Sequence, residues 1–284
     1  KVTGVQTCAL PIYRAPDGRP IADETSATLL ARRFAFERDG ALFALVGEVA
    51  EHDAPRTLLG RETPCVGRAR ERAALDATFD ECVSERVARA VLITGAAGMG
   101  KSRLAREFVD GALARVPDAR VLVARADPGS AGSILGMLSG ALRRALGLVD
   151  GDAFEAQRAQ IDAQVAGTVG EGERRRVAEF LGELTGVRYT DDASSQFRAA
   201  RLDPRLMTDQ LELAWQDWLS AESARRPVLL VLEDLHWADR GTVALTDTSL
   251  RSLAEAPLMV LALARPEVGA AFPTLWSERR SEEH

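Results

Sequence analysis

The stretch GAAGMGKS, residues 95–102, constrains the fold of this chain more than any other feature of its sequence. An apolar run at residues 90–94 comes directly before it, and Leu104, Phe108 and Leu113 follow it at helical spacing. A G-x-x-x-x-G-K-S pattern between a strand and a helix predicts a loop whose backbone N–H groups surround phosphate oxygens. The alternative is a glycine-rich structural turn, which would not require the strand and helix on either side.

The lysine of this stretch, Lys101, is the only lysine apart from Lys1, and all other cationic side chains are arginines. A compact ammonium on a flexible stem can follow the β- and γ-phosphates of a nucleotide better than a planar guanidinium can. The neighbouring Ser102 offers a hydroxyl to Mg²⁺. We therefore expect ATP to be contacted by Gly95, Ala96, Ala97, Gly98, Met99, Gly100, Lys101, Ser102 and Arg103.

A second motif, VLLVLEDLHWAD at residues 228–239, is an apolar run that ends in two acids. Acids at the end of a buried strand can hold Mg²⁺ through its water shell and polarise an attacking water. We place Glu233 near Mg²⁺ and Asp234 near the water, although the commoner order is Asp then Glu. The alternative is a helix-capping Asp beside an incidental Glu, and Asp239 is a candidate cap for the next helix.

Further apolar runs at residues 120–124 and 258–264 complete a set of four. Runs that are apolar on both faces and separated by helical segments predict parallel strands buried between layers of helices. We predict a three-layer α/β/α P-loop domain over residues 65–279. Residues 133–224 are predicted to be mostly helical with a polar break near 190–195, and Trp215 and Trp218 are predicted to pack in the core.

Four stretches occur in order along the chain: CVGRARERAAL, ITGAAGMGKSRLAREF, VLLVLEDLHWAD and LALARPEV. Together they resemble the STAND-type AAA-related ATPases of large bacterial regulators, over about residues 64–276. The resemblance implies that Val66, Gly67 and Arg68 contact the nucleotide near its adenine. The family usually has Glu where this chain has Ala69, so the contact that the family makes at this position is in question.

The same resemblance implies that Arg265, at the end of a strand, senses the γ-phosphate; the alternative is a surface arginine before a proline. His236 and Trp237 match the family pattern after the second motif, where we favour packing over catalysis. The implied strand order is 5-1-4-3-2, with the loop strand first and Arg265 ending the fourth. We expect the domain to be truncated before strand five, which would leave the strand at residues 90–94 as an exposed edge.

The two ends of the chain, KVTGVQTCALPI and RSEEH, resemble translated sequencing adapters, so residues 1–12 and 280–284 are expected to be artefacts. Residues 13–54 resemble the tail of a class III nucleotide cyclase domain and predict a small α+β remnant. Within it, Asp23 or Thr25 is expected to cap a helix, and Asp39-Gly40 is a hairpin turn signal. Residues 55–64 are expected to form a linker.

Composition and charge argue against some classes of function. The net charge of −6 argues against a nucleic-acid partner, and the run Arg174-Arg175-Arg176 is expected to be a solvated helix face. No apolar run is long enough to span a membrane. Cys65 and Cys82 have no metal-site spacing, and such lone thiols indicate a reducing, cytoplasmic location.

The sequence thus predicts an ATP- and Mg²⁺-binding, slowly hydrolysing switch with an upstream cyclase or kinase domain and a downstream helical-repeat domain. A nucleotide-binding scaffold without turnover and a P-loop small-molecule kinase are the alternatives.

Overall fold

The structure is a computed structural model of the 284-residue chain and divides into two compact units, residues 1–64 and 65–284. It describes residues 12–14, 20–31, 34–40, 42–48, 57–58, 61–62, 67–126, 135–189, 193–273, 275–276 and 280–283. In the part of the chain so described, no helix combines the length and the apolar character needed to cross a membrane.

The first unit is a small antiparallel sheet with one helix. Its sheet has the order β1-β2-β4-β3, and a separate two-stranded hairpin (β5, β6) lies in the stretch predicted as a linker. Asp23 caps the helix by accepting a hydrogen bond from the Ser26 N–H at 2.6 Å, as predicted. The turn at Gly40, with φ of 63°, joins β3 to β4. The elements are β1 Ile12–Arg14, β2 Pro20–Ala22, α1 Glu24–Leu30, β3 Phe34–Asp39, β4 Leu42–Glu48, β5 Thr57–Leu58 and β6 Arg61–Glu62.

The second unit alternates strands and helices. A long helical segment separates its second strand from its third, as the sequence predicts. The elements are α2 Ala69–Glu85, β7 Arg89–Thr94, α3 Lys101–Arg115, β8 Arg120–Arg125, α4 Gly136–Ala145, α5 Phe154–Ala166, α6 Arg174–Leu184, α7 Ser195–Ala200, α8 Pro204–Arg225, β9 Val228–Glu233, a 3-10 turn Leu235–Trp237, α9 Arg240–Ser252, β10 Leu258–Ala264, α10 Val268–Ala271 and β11 Arg280–Glu283.

The sheet of the second unit is parallel and has the order β11-β7-β10-β9-β8. Alternate residues of each strand point to opposite faces, so each face carries its own apolar core. On β9, Leu229 packs in the core that also contains apolar residues of α2 and α3, whereas Leu230 packs in the core with the helices of the long helical segment. This is the predicted three-layer α/β/α P-loop fold, with the predicted strand order.

The sheet extends one strand beyond the prediction. β11 pairs in parallel with β7, from Arg280 opposite Ala90 to Glu283 opposite Ile93, so β7 is not an exposed edge. The edge of a parallel strand presents unpaired N–H and C=O groups, and an extended segment of any composition can satisfy them. The polar sequence of β11 lacks the apolar run that identified the other four strands.

The helices between β8 and β9 cover one face of the sheet. Their core includes Trp215 and Trp218, which are fully buried as predicted, and the Trp215 indole N–H donates to Ser249 Oγ of α9 at 3.2 Å. Ser194 lies within the polar break predicted near residues 190–195 and caps α7, whereas residues 190–192 lie outside the described residues. This packing fixes β9 and the polar residues that follow it against the rest of the sheet.

Candidate functional site

The glycine-rich stretch forms a loop between β7 and α3, which we call the phosphate loop (residues 95–102). Gly98 and Gly100 have φ of 81° and 83°, a conformation that disfavours side chains with a Cβ. Residues 96–100 are exposed, and the loop is anchored to the sheet where the Gly95 N–H donates to the Ala264 carbonyl at 3.3 Å. The loop thus presents backbone N–H groups at the positive end of α3, an arrangement that attracts anions.

Lys101 is the first residue of α3 and folds back over the phosphate loop. Its Nζ donates to the carbonyl oxygens of Gly95 at 2.7 Å and Ala96 at 3.0 Å. Burial lowers the pKa of Lys101; the nearby Asp234 carboxylate raises it, and the Arg265 guanidinium lowers it. The structure therefore brings together the loop lysine, the second acid and the predicted sensor arginine, which are far apart in the sequence.

A cleft of about 250 Å³ opens beside the phosphate loop. Arg68 lines this cleft, and its guanidinium donates to Glu71 Oε1 at 2.6 Å and to the Met99 carbonyl at 3.1 Å. The hydrogen bond from Arg68 lowers the pKa of Glu71. Sequence reasoning missed Glu71, although an acid three residues beyond an arginine on one helix is a recognisable pairing signal. The lining residues are Arg68, Glu71, Ile93, Thr94, Gly95, Met99, Gly100, Lys101, Leu104 and Pro266.

The two predicted acids begin a segment that we call the acidic turn (residues 233–239). Glu233 is 4% exposed, and its Oε2 accepts from Arg125 Nε at 2.8 Å and from Nη2 at 2.5 Å. Arg125 lies opposite Glu233 in the β8–β9 register, so the ion pair links the carboxyl ends of two adjacent strands. A buried carboxylate without a cation would be costly, and Arg125 supplies that cation.

Asp234 has a different environment from its neighbour. It is half-buried and adopts a left-handed backbone conformation, with φ of 55° and ψ of 40°. Aspartate tolerates this conformation better than most residues, and here it ends β9 and starts the 3-10 turn, in which the Trp237 N–H donates to the Asp234 carbonyl at 2.9 Å. Such backbone outliers occur where a structure holds a functional group in place.

The 3-10 turn places two aromatic rings beside Arg265. The Trp237 and His236 rings lie 4.5 Å apart, and the Arg265 guanidinium lies 5.2 Å from the Trp237 ring centroid. The His236 Nδ1 accepts a long hydrogen bond, 3.4 Å, from the Arg265 N–H. A cation–π contact at an exposed site contributes only about 0.5–1 kcal/mol, so the guanidinium is held weakly.

The acidic turn ends at Asp239, which caps α9 as predicted. Its carboxylate accepts from the N–H of Thr242 at 2.7 Å and the hydroxyl of Thr242 at 2.6 Å. It also accepts from the Leu135 N–H, at the start of α4, at 3.3 Å. The cap therefore joins the start of α9 to the start of α4, which is distant in the sequence.

With this geometry in view, comparison with known proteins identifies the domain. A family model described as AAA ATPase domain matches residues 64–261. The chain belongs to this AAA ATPase domain family. Membership supports nucleotide binding.

Three further similarities are more distant. The AAA ATPase domain is 28% identical over 199 residues to "Uncharacterized protein R02095" of Rhizobium meliloti (strain 1021), covering 65% of this chain and 17% of that protein. The cytoplasmic domain of the Thermomonospora curvata Type VII secretion ATPase EccC shares 13% identity and a TM-score of 0.30 over 67% of this chain and 18% of its own. The bacterial conjugative coupling protein TrwBdeltaN70, in an unbound monoclinic form, shares 16% identity and a TM-score of 0.31 over 67% of each chain.

The AAA ATPase domain brings most of the predicted site residues together, with differences in detail. Gly67 (φ 83°) and Arg68 lie at the start of α2, and Arg68 reaches the phosphate loop, whereas Val66 lies outside the described residues. Arg103 pairs with Glu107 on its own helix at 2.7 Å.

The residues predicted to hold Mg²⁺ fit such a role in part. Ser102 is exposed at the start of α3, where a hydroxyl is accessible, whereas Glu233 already has Arg125 as a partner. Among the described residues, no group of three or more His, Cys, Asp or Glu side chains could hold a metal ion. Magnesium bound with a nucleotide needs only one or two protein oxygens in addition to phosphate and water, so Ser102 with one acid suffices.

Proposed function

We propose that this domain binds ATP with Mg²⁺ and hydrolyses it slowly, as a regulatory switch within a larger bacterial signalling protein. The observation that carries the proposal is the parallel pairing of β7, β10 and β9, because the phosphate loop, Arg265 and Asp234 follow the carboxyl ends of these adjacent strands. There Asp234 raises and Arg265 lowers the pKa of Lys101. Phosphoryl transfer depends mainly on positioning and on stabilising charge on the phosphate oxygens, and this arrangement of charges can do both.

Each residue of the site has a distinct proposed role. The backbone N–H groups of the phosphate loop and Lys101 bind the phosphates, and Arg265 contacts the γ-phosphate. Ser102 would hold Mg²⁺ through its hydroxyl, and Glu233 would contact the ion through water. Asp234 orients and polarises the attacking water. Bound Mg²⁺ would supply charge neutralisation between the β- and γ-phosphates.

The switch role concerns the protein to which this domain belongs. A γ-phosphate that is present before hydrolysis and absent afterwards can favour two different arrangements of neighbouring segments. The chain spans only 17% of the length of its relative in Rhizobium meliloti, which supports a multidomain parent. We propose an upstream cyclase or kinase domain and a downstream helical-repeat domain, in a cytoplasmic protein of the STAND type.

One observation favours a second candidate, a nucleotide-binding scaffold without turnover. Glu233 is buried and bound by Arg125, so in this arrangement its carboxylate is engaged away from a metal ion. A site of this kind binds nucleotide through the phosphate loop and Lys101 while its acidic turn contributes little to hydrolysis.

Nucleotide binding and phosphate release, measured on the same samples, test both candidates. Lys101→Ala is expected to lose most of its ATP affinity, and Asp234→Asn is expected to bind ATP but release little phosphate. Asparagine keeps the shape of aspartate and tolerates the left-handed backbone. The control is Asp150→Asn, since the Asp150 side chain is 83% exposed in the loop between α4 and α5.

The outcomes separate the candidates. Binding with no release that depends on Asp234 would contradict hydrolysis and support the scaffold. Transfer of phosphate to a small-molecule acceptor, with little free phosphate, would support a kinase. Equal ATP affinity of the wild type and Lys101→Ala would contradict the whole proposal.

A further inference from the structure

The contact between Trp237 and Arg265 is open to solvent and is held by few interactions. Trp237 is 36% exposed, and the guanidinium of Arg265 lies 5.2 Å from its ring centroid. Among the described residues, no carboxylate forms an ion pair with Arg265. The guanidinium lies instead over the π face of the tryptophan.

The position of this contact beside the phosphate loop matters for its strength. Arg265 is close enough to Lys101 to lower the pKa of the ammonium, so the two cations repel each other. The ring of Trp237 attracts the guanidinium without bringing a negative charge to the loop. A phosphate oxygen would attract it more strongly, because charge-assisted hydrogen bonds exceed an exposed cation–π contact.

We propose that Trp237 is a positioning residue that holds Arg265 on its ring face until a γ-phosphate at Lys101 withdraws the guanidinium. This inference rests on the proposed ATP binding and adds a role for a residue outside the phosphate loop. Because the ring contact is broken when ATP binds, Trp237 opposes ATP binding and leaves ADP binding unchanged. Trp237 also becomes more exposed in the ATP-bound protein.

The tryptophans of the chain permit a direct spectroscopic test. All four lie in the described part of the structure, and three of them, Trp215, Trp218 and Trp276, are at most 3% exposed. Fluorescence quenching by acrylamide, a neutral quencher, therefore reports on Trp237, and the signal of Trp237→Phe can be subtracted. Mg²⁺ with the slowly hydrolysed analogue ATPγS is expected to raise the quenching of Trp237, whereas Mg²⁺ with ADP is expected to leave it unchanged.

The variant Arg265→Ala provides the matched control for this measurement. Its Trp237 is expected to show, without any nucleotide, the high quenching that the wild type reaches only with ATPγS. Equal quenching of the wild type in all three states, or no difference between the wild type and Arg265→Ala, would overturn the inference.

Nucleotide affinity gives an independent test of the same contact. Trp237→Leu is expected to bind ATPγS about two- to fivefold more tightly, the equivalent of one exposed cation–π contact, with ADP affinity unchanged. In an Arg265→Ala background the same substitution is expected to have no effect. A gain that persists in that background, or that appears equally with ADP, would show that Trp237 acts without Arg265.

Isothermal calorimetry on the wild type keeps the two proposals distinguishable. If neither nucleotide binds, the proposed function and this inference both fail. If ATPγS binds but Trp237 does not respond, only the role of Trp237 fails, and ATP binding stands.

Discussion

The phosphate loop and the acidic turn contribute to one site but are built in different ways. In the phosphate loop, Lys101 donates to carbonyls five and six residues away, and two glycines with positive φ shape the backbone. In the acidic turn, Glu233 is bound by a residue 108 positions away, and Asp239 accepts from a residue 104 positions away. The contacts of Lys101 in the first half are therefore local, whereas the side-chain contacts of Glu233 and Asp239 in the second half reach residues far away in the sequence.

This difference indicates how each half can fail. A substitution within the eight residues of the phosphate loop can distort the loop without affecting the rest of the sheet. The acidic turn, in contrast, depends on β8 and on the start of α4, so substitutions far from it in sequence should disturb it.

The largest effect is expected at Arg125, on the long-range side of the comparison. Arg125→Met leaves the buried Glu233 without its arginine and should lower the free energy of unfolding by about 3 kcal/mol, the lower end for a broken buried pair because Arg125 is partly exposed. Urea denaturation measures this loss. The double variant Arg125→Met with Glu233→Gln should recover much of it, and an unchanged stability of the single variant would contradict the pairing.

The next effect concerns the local side. Gly98→Ala places a Cβ on a residue with φ of 81° and should destabilise the protein by about 1–2 kcal/mol through backbone strain, since no heavy atom lies within 4 Å of that Cβ. Gly95→Ala is the matched control: no positive φ applies to it, and its Cβ would make ordinary contact with the Lys101 side chain at 3.7 Å. Equal losses in the two variants would show that backbone conformation does not shape the loop.

A smaller loss is expected at the far end of the acidic turn. Asp239→Ala removes the cap of α9 and should cost about 1 kcal/mol, whereas Asp239→Asn keeps an acceptor and should cost less. Hydrogen exchange of the Leu135 and Thr242 amides would sharpen the comparison, because both donate to Asp239. If only the Thr242 amide exchanged faster in Asp239→Ala, Asp239 would act as the cap of α9 without stabilising the long-range contact to Leu135.

The smallest effect is a pH dependence at His236. Burial lowers its pKa below the ordinary value of 6.5, so between the folded pKa and 6.5 the unfolded chain binds more protons than the folded protein does. The free energy of unfolding should therefore fall as the pH falls below 6.5. His236→Gln should show a shallower fall in urea denaturation at paired pH values. An identical slope in both proteins would exclude His236 as a contributor.

The two halves of the site were also unequally predictable from sequence. The loop around Lys101, the strands that carry it and the cap at Asp239 follow from patterns within a few residues, and the structure confirms these elements. The partner of Glu233 could not be predicted, because it depends on the register of two strands separated by the long helical segment. β11 was not predicted, because residues 280–284 were expected to be an artefact and the domain was expected to end before strand five.

The separation of β8 from β9 along the chain also bears on how the protein folds. A contact between these neighbouring strands joins residues 108 positions apart, and the described part of the segment between them contains the helices α4 to α8. Contacts this distant in sequence form slowly, because the ends of a long segment must find each other before the contact stabilises anything. The contacts of Lys101 within the phosphate loop are local and can therefore form early in folding, whereas the side-chain contacts of the acidic turn wait until the intervening helices have packed on the sheet.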